Sequence, residues 1–118
     1  MKSKMIRFED IVLFLNYPDE FWEYIKPRIR RVEPLDEKNR FFYKTLLKFD
    51  KDDNLIDIKV IVPRIVDIDT ACVNIHELKH AYDMYLLLNN PVNEKEPKYE
   101  EDARNLEKEF KLKILKIK

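Results

Sequence analysis

The chain has 118 residues, 45% of them hydrophobic and 39% charged, so it is long enough for one domain with one modest core. Its 23 basic and 23 acidic residues give zero net charge, which provides no global reason to expect a nucleic acid or an anionic membrane as partner. The single cysteine excludes an intramolecular disulfide and favours a cytoplasmic protein, and no apolar stretch is long enough to span a bilayer.

The N-terminal part is predicted to be helical. Residues 8–15 form a short apolar helix, and a second helix is expected to begin at residues 16–20, where an asparagine, a proline and two acidic residues occur. Its apolar stripe continues to Val32, and Pro27 should kink it or end its first half. This segment also holds a basic cluster of Arg28, Arg30 and Arg31. Such a cluster can bind a phosphate or a carboxylate, but more often it is a solvent-exposed face that pairs with nearby acidic residues.

Two strands are predicted next, and they should form an antiparallel hairpin. Residues 40–49 alternate in the strand pattern, residues 50–54 form a polar turn, and residues 55–62 are rich in Ile and Val. Pro63 cannot donate a ladder hydrogen bond, so the second strand should end there or lie at a sheet edge. We expect residues 55–62 to be an edge strand to which a peptide could add as a further strand.

The clearest motif lies at residues 76–80, HELKH, and contains both histidines of the chain. On an α-helix His76 and His80 lie one turn apart on the same face, where two imidazoles can bind one zinc ion. Glu77 is rotated by about 100° from His76, so it should flank the metal and act as the general base for an attacking water.

This motif is predicted to lie in a largely buried helix over residues 71–88. The segment contains no proline or glycine, its apolar residues recur at helical intervals, and Asn89-Asn90-Pro91 follows it. Capping and acidic side chains precede it at Asp67, Asp69 and Thr70.

A catalytic zinc site needs a third protein ligand, and the best candidate is a carboxylate on the last helix. That helix is predicted to run from Tyr99 to about Lys111. Glu100 lies three residues before Ala103, whose small side chain should let the last helix pack close to the motif helix. Glu101 is the second candidate and Asp102 the third.

Two further side chains are formal candidates for this ligand. Cys72 lies one turn before His76, but a lone cysteine is more often a small buried hydrophobe. Asp83 lies seven residues after His76, beyond His80 along the helix axis, where a salt bridge or a contact with a ligating side chain is the more natural role.

The C-terminal segment, residues 111–118, fits two patterns. Its apolar residues continue the helical stripe, and they also alternate with lysines as in a strand. The segment is therefore expected either to extend the last helix onto the core or to block the cleft as an inhibitory tail. The blocking tail could act within its own chain or in a homodimer.

The HELKH motif followed by residues 100–103, EEDA, resembles the gluzincin zinc metallopeptidases, which pair H-E-x-x-H with E-x-x-A or E-x-x-S on a downstream helix. The small size and the hairpin before the motif helix are similar to the minigluzincins, minimal soluble relatives of integral-membrane metallopeptidases. The likeness covers roughly residues 55–110 and rests on these two motifs. It implies an α+β, zincin-like fold with N-terminal helices and a hairpin sheet packed on an active-site helix and a glutamate helix.

The resemblance also implies roles for individual residues. His76, His80 and Glu100 would bind zinc, Glu77 would be the general base, and residues 61–63 would match the rim strand that aligns a substrate. Many gluzincins have an aspartate after the small residue that orients a histidine ligand, whereas this chain has Arg104. Orientation is therefore expected to come from elsewhere, such as Asp83 or a backbone carbonyl.

The function predicted from these features is that of a zinc metalloendopeptidase acting on peptide or protein substrates, held latent by residues 111–118. One alternative is a regulatory H-E-x-x-H metalloprotein that acts on one protein partner, such as a repressor. Another is a non-enzymatic interaction domain in which zinc is a structural pin. The donor that stabilises the oxyanion is left open among Tyr82, Tyr85, Tyr99 and Arg104.

Overall fold

The computed structural model describes residues 6–35, 42–89 and 99–116. These residues form four α-helices and a three-stranded mixed sheet, so the predicted α+β class is confirmed. None of the described helices is long and apolar enough to cross a membrane. In chain order the elements are α1 (Phe8–Leu15), α2 (Asp19–Ile25), a 3-10 helix (Lys26–Arg28), β1 (Ile29–Val32), β2 (Lys44–Phe49), β3 (Leu55–Pro63), α3 (Ile68–Asn89) and α4 (Tyr99–Lys116).

The sheet has the strand order β1-β3-β2, which makes β3 its central strand. The predicted hairpin is confirmed, because β2 and β3 pair antiparallel with Thr45 opposite Val60. The prediction that residues 55–62 form an edge strand is wrong, since β1 pairs parallel with the other side of β3. β2 is therefore the edge strand next to α3. It begins at Lys44 rather than at residue 40, and residues 36–41 lie outside the described part of the chain.

The strand β1 occupies a segment for which a helix was predicted as far as Val32. The helix α2 ends at Ile25, because Pro27 lacks the N–H that a helix interior needs and its ring clashes with the preceding turn. The β-branched residues that follow pair with β3, for example Ile29 with Val60. The first residue of the basic cluster, Arg28, forms an ion pair with an acid, since its Nε donates to Asp57 Oδ1 at 2.8 Å.

The helix α3 packs on the sheet and is anchored at its N-terminal end. It begins at Ile68, earlier than predicted, because Asp67 and Thr70 form a reciprocal cap. Asp67 Oδ1 accepts from Thr70 N at 2.8 Å, and Thr70 Oγ1 accepts from Asp67 N at 3.0 Å. The buried Asn74 donates to the carbonyl oxygen of Pro63 at 2.9 Å, which ties α3 to the end of β3. The surrounding core consists of Ile11, Leu15, Phe21, Trp22, Ile25, Ile58, Val60, Val62, Ala71, Cys72, Ile75, Leu78, Ala81 and Phe110.

The last helix, α4, continues past the predicted end at about Lys111 to Lys116. Residues 111–116 are helical and Ile114 packs against the core, so the prediction that the tail extends the last helix is confirmed for these residues. The alternative prediction, that they form a strand, is wrong. Residues 117 and 118 lie outside the described part of the chain. Glu100 contacts His80, whereas Lys111 lines a cavity with Asp69 at the N-terminal end of α3. The two helices are therefore antiparallel, and the end of α4 leads away from His80.

Candidate metal centre

The motif helix α3 turns one face to the core and presents the motif on another. Ile75, Leu78 and Ala81 are fully buried in the core. His76 and His80 lie outside this buried stripe with side chains that are 17% and 20% exposed, and their ring centroids are 4.7 Å apart. The i,i+4 spacing therefore places both imidazoles together at the boundary between core and solvent.

The helix α4 brings a carboxylate to these two imidazoles. Glu100 Oε1 lies 3.0 Å from His76 Nε2, and Glu100 Oε2 lies 3.1 Å from His80 Nε2. The two Nε2 atoms are 3.1 Å apart. Ala103 is fully buried, as expected for a small residue where α4 packs closely. Of the three acidic candidates on α4, the structure brings Glu100 to the histidines.

These three side chains are close enough together to hold one metal ion. Ligand atoms about 2.0–2.1 Å from such an ion lie roughly 3.3 Å from one another. The two Nε2 atoms are 3.1 Å apart, close to this value, and they contact different oxygens of Glu100, at 3.0 and 3.1 Å. One ligand atom from each of the three residues lies within 4.8 Å of the others. Among the described residues, the set of His, Cys, Asp and Glu side chains that could hold a metal ion consists of His76, His80 and Glu100.

The other formal ligand candidates lie elsewhere. Cys72 is buried in the core and is not part of the described set. Asp83 Oδ1 forms an ion pair with Lys79 on the same helix and accepts a hydrogen bond from its Nζ at 2.6 Å. Glu101 and Asp102 are exposed on α4 and are not part of the described set either. Of the two roles expected for Asp83, the salt bridge is therefore the one that the structure shows.

The contact expected of an orienting group is made by Glu107, a residue that was not predicted from the sequence. Its Oε2 lies 2.7 Å from His76 Nδ1, and this contact, opposed by burial, raises the pKa of His76. In the neutral imidazole an Nδ1–H donated to Glu107 leaves the Nε2 lone pair facing His80 and Glu100. The sequence feature that could have predicted this contact is the spacing of the two glutamates. Glu107 follows Glu100 by seven residues, which is two turns along the same face of α4.

Glu77, the predicted general base, lies between the histidines and the sheet edge. Thr45 Oγ1 on β2 lies 3.0 Å from Glu77 Oε1 and 2.9 Å from the backbone oxygen of Glu77, so its hydroxyl can donate to either. Burial raises the pKa of Glu77, although the Thr45 hydrogen bond opposes the shift. A carboxylate with a raised pKa is a stronger base, as general-base catalysis near neutral pH requires.

Two cavities open on either side of Glu77, and Glu77 lines both. The first, here called the His76 cavity, has a volume of about 380 Å³ and is lined by Tyr43, Val73, His76, Glu77, Arg104 and Glu107. The second, the His80 cavity, has a volume of about 310 Å³ and is lined by Lys44, Thr45, Leu47, Glu77, His80 and Met84. A cleft therefore follows β2 across the site, with space for chain on both sides of the predicted base.

Three of the four candidates for oxyanion stabilisation have described side chains, and they lie either beside the core or in the His76 cavity. Tyr82 stacks on Tyr17 at 4.0 Å between ring centroids, and Tyr85 contacts Phe21 at 5.4 Å, so both belong to an aromatic cluster. Arg104 lines the His76 cavity. The side chain of the fourth candidate, Tyr99, lies outside the described part of the structure.

Comparisons of the chain with known protein families, with curated proteins and with solved structures found no match. What the site can do must therefore be derived from its own side chains. Two imidazoles and one carboxylate form a donor set that suits zinc, and three protein ligands are the number found in catalytic zinc sites, which keep a position open for water or substrate.

Proposed function

We propose that the protein is a zinc-dependent metallopeptidase with a zincin-like arrangement of its active-site helix and glutamate helix. In this proposal His76, His80 and Glu100 hold zinc, and Glu77 is the general base. The observation that carries it is the convergence of three suitable ligand atoms beside a partly buried carboxylate at a sheet edge. A structural site needs no such base.

A zinc ion held there would supply the Lewis acidity that activates a water and polarises the scissile carbonyl. Glu77 accepts the proton of the attacking water and later passes it to the leaving amine. The Thr45 hydroxyl orients the Glu77 carboxylate, at 3.0 Å from Oε1. Glu107 holds the ring of His76 through Nδ1 at 2.7 Å, which fixes the direction of the ligating nitrogen.

The substrate is proposed to add to the edge of β2 as an antiparallel strand. Within the described part of the chain, β2 pairs on one side, with β3. Tyr43, just before β2, lines the His76 cavity, and Leu47, near its end, lines the His80 cavity. An antiparallel peptide therefore places the residues before the scissile bond in the His80 cavity and those after it in the His76 cavity.

The alternatives differ from this proposal in measurable ways. A structural zinc pin normally closes its fourth position with a protein ligand, whereas three described side chains converge here. A regulatory metalloprotein would use the same chemistry on one protein partner, so it differs in substrate range and not in the site. Residues 111–116 extend α4 and Ile114 packs against the core, so inhibition by these residues within one chain would require the end of α4 to leave the core. The proposal therefore concerns an enzyme that is not inhibited in this way.

The direct test is hydrolysis of a quenched-peptide library and of casein by the zinc-loaded protein. We expect cleavage that is lost on treatment with a zinc chelator and restored by adding zinc back. The chelated protein should be checked by circular dichroism, so that loss of activity is not confused with unfolding. A protein that binds zinc tightly but cleaves no member of a diverse library, and no protein substrate, would favour the structural pin.

A second expected result concerns Glu107. Glu107→Ala should weaken zinc binding by about 10- to 100-fold, the usual cost of losing a group that orients a histidine ligand. Glu107→Gln keeps an oxygen that can accept from His76 Nδ1 and should lose less. The affinity is measured by competition with a chromophoric chelator, and Glu109→Ala, at an exposed position on α4, is the matched control. Equal affinities in all four proteins would remove Glu107 from the site.

A further inference from the structure

We propose that the His76 cavity is a carboxylate-binding subsite, in which Arg104 selects peptides with a carboxylate on the C-terminal side of the scissile bond. This inference rests on the proposed function and deepens it by naming a substrate class. It depends on three features of the described residues. These are the accessible guanidinium in the cavity, the positive charge that continues along α4, and the direction in which a peptide would run on β2.

The first feature is the accessible guanidinium of Arg104, the cation among the residues that line the His76 cavity, where the carboxylates of Glu77 and Glu107 contact other side chains. Glu107 contacts His76 at 2.7 Å, and Glu77 accepts from Thr45 at 3.0 Å. The side chain of Arg104 is 70% exposed, and its Nε lies 3.6 Å from Glu100 Oε1, too long for a strong charge-assisted hydrogen bond. A planar guanidinium has five donors and matches a carboxylate with two parallel hydrogen bonds, so Arg104 can take a second anion.

The second feature is that the positive charge continues beyond Arg104. A neighbouring cavity of about 280 Å³ lies between α3 and α4 and shares two lining residues, Arg104 and Glu107, with the His76 cavity. It adds two further cations from α4, Lys108 and Lys111, and one acid, Asp69. The residues that line this groove include three cations, Arg104, Lys108 and Lys111, and two acids, Asp69 and Glu107, so positive charge exceeds negative charge. Such a groove attracts acidic peptide segments.

The third feature is the direction of the substrate. An antiparallel peptide on β2 runs from Leu47 towards Tyr43, so its C-terminal part reaches the His76 cavity and Arg104. The opposite cavity has apolar walls from Leu47 and Met84, and Lys44 is the cation in its lining. The expected substrate therefore combines an apolar residue before the scissile bond with a carboxylate after it.

That carboxylate could belong to an acidic side chain or to the free C-terminus of a short peptide. Three peptides of otherwise identical sequence distinguish the two sources. One has Glu after the scissile bond and an amidated C-terminus, one has Gln there and an amidated C-terminus, and one has Gln there as its free C-terminal residue. We expect kcat/KM to be about tenfold or more higher for at least one carboxylate peptide than for the neutral amide, mainly through KM.

The variants then assign this preference to Arg104. Arg104→Gln should bring the carboxylate-to-amide ratio of kcat/KM close to one, and Arg104→Glu should invert it. Lys59→Gln, which removes a charge from an exposed position on β3, should keep the wild-type ratio. An unchanged ratio in Arg104→Gln would overturn the proposal. So would an equal fall in kcat for all three peptides, because that pattern belongs to an oxyanion donor.

A binding measurement separates failure of this subsite from failure of the proposed function. The zinc-loaded Glu77→Gln protein should bind the Glu peptide about tenfold more tightly than the Gln amide, and Arg104→Gln in that background should abolish the difference. If the wild type cleaves nothing but the binding preference is present, the catalytic proposal fails and the subsite stands. If cleavage occurs without any carboxylate preference in either assay, the subsite proposal fails and the catalytic one stands.

Discussion

Replacing Glu77 with glutamine is expected to lower the rate of peptide hydrolysis at least about 100-fold while the protein keeps its zinc. Glu77 is the carboxylate of the motif and lies outside the ligand set, and its Oε1 is 3.0 Å from the Thr45 hydroxyl on the edge strand β2. Glutamine keeps an oxygen that can accept this hydrogen bond and has nearly the same shape. It cannot accept a proton from water near neutral pH, so the substitution removes the base with little other change.

The measurement is kcat and KM on one quenched peptide, with the zinc content determined for each preparation. Glu101→Gln, which changes an exposed carboxylate on α4, is the matched control and should retain wild-type activity. A Glu77→Gln protein as active as its parent would remove Glu77 from the mechanism. Loss of zinc together with activity would instead place Glu77 among the ligands.

The parts of the site that the sequence predicts are those fixed by local geometry. Any helix over residues 71–88 places His76 and His80 one turn apart, whatever surrounds it. The choice of Glu100 over its neighbours also followed from a local feature, the small Ala103 in the apolar stripe of α4. The structure brings Glu100 to the two histidines and buries Ala103 completely.

The parts that escaped prediction depend on contacts between distant segments. The strand β1 has an apolar pattern that fits a helix as well as a strand, and its pairing with β3 decided between them. That pairing makes β3 the central strand, so residues 61–63 do not lie on an edge strand as the predicted rim requires, whereas β2 does. Pro63 does end β3, as predicted. Where a strand ends along the chain, however, does not show which strands pair with it on either side.

The role of Glu107 escaped for a related reason. Three acidic residues lie in the first turn of α4, where they also interact favourably with the helix dipole. The sequence prediction considered only these three acids on α4 and not Glu107, which lies two turns after Glu100. The presence of Arg104 at the position of the expected aspartate pointed to an orienting group elsewhere. The antiparallel packing of α4 on α3 then places Glu107 at 2.7 Å from His76 Nδ1. Knowing that α4 runs antiparallel, one could have predicted that an acid seven residues after Glu100 contacts the earlier histidine.

The largest effect on the metal is expected from the ligands themselves. The purified protein should bind one zinc ion per chain, and His76→Ala or His80→Ala should each lose it at micromolar protein after dialysis. Each substitution removes one of three donors, so the loss of affinity should exceed the roughly 10- to 100-fold expected for Glu107, which contacts a ligand rather than the ion. Zinc content by atomic absorption and affinity by chelator competition measure the effect. If both single variants retained one zinc ion per chain at wild-type affinity, the metal would bind elsewhere. The proposed metallopeptidase site would then be wrong.

The third ligand can be tested by the register of α4. Glu100→Gln should weaken zinc binding clearly more than Glu101→Gln, because Glu100 lies 3.0 and 3.1 Å from the two Nε2 atoms. Adjacent residues on a helix point about 100° apart, so both carboxylates cannot serve the same ion without turning the helix. Such a turn would also carry Ala103 out of its buried position and Glu107 away from His76. A stronger effect of Glu101→Gln would therefore predict that Glu107→Ala leaves zinc affinity unchanged, and this second measurement decides whether α4 has a different register in the zinc-bound protein.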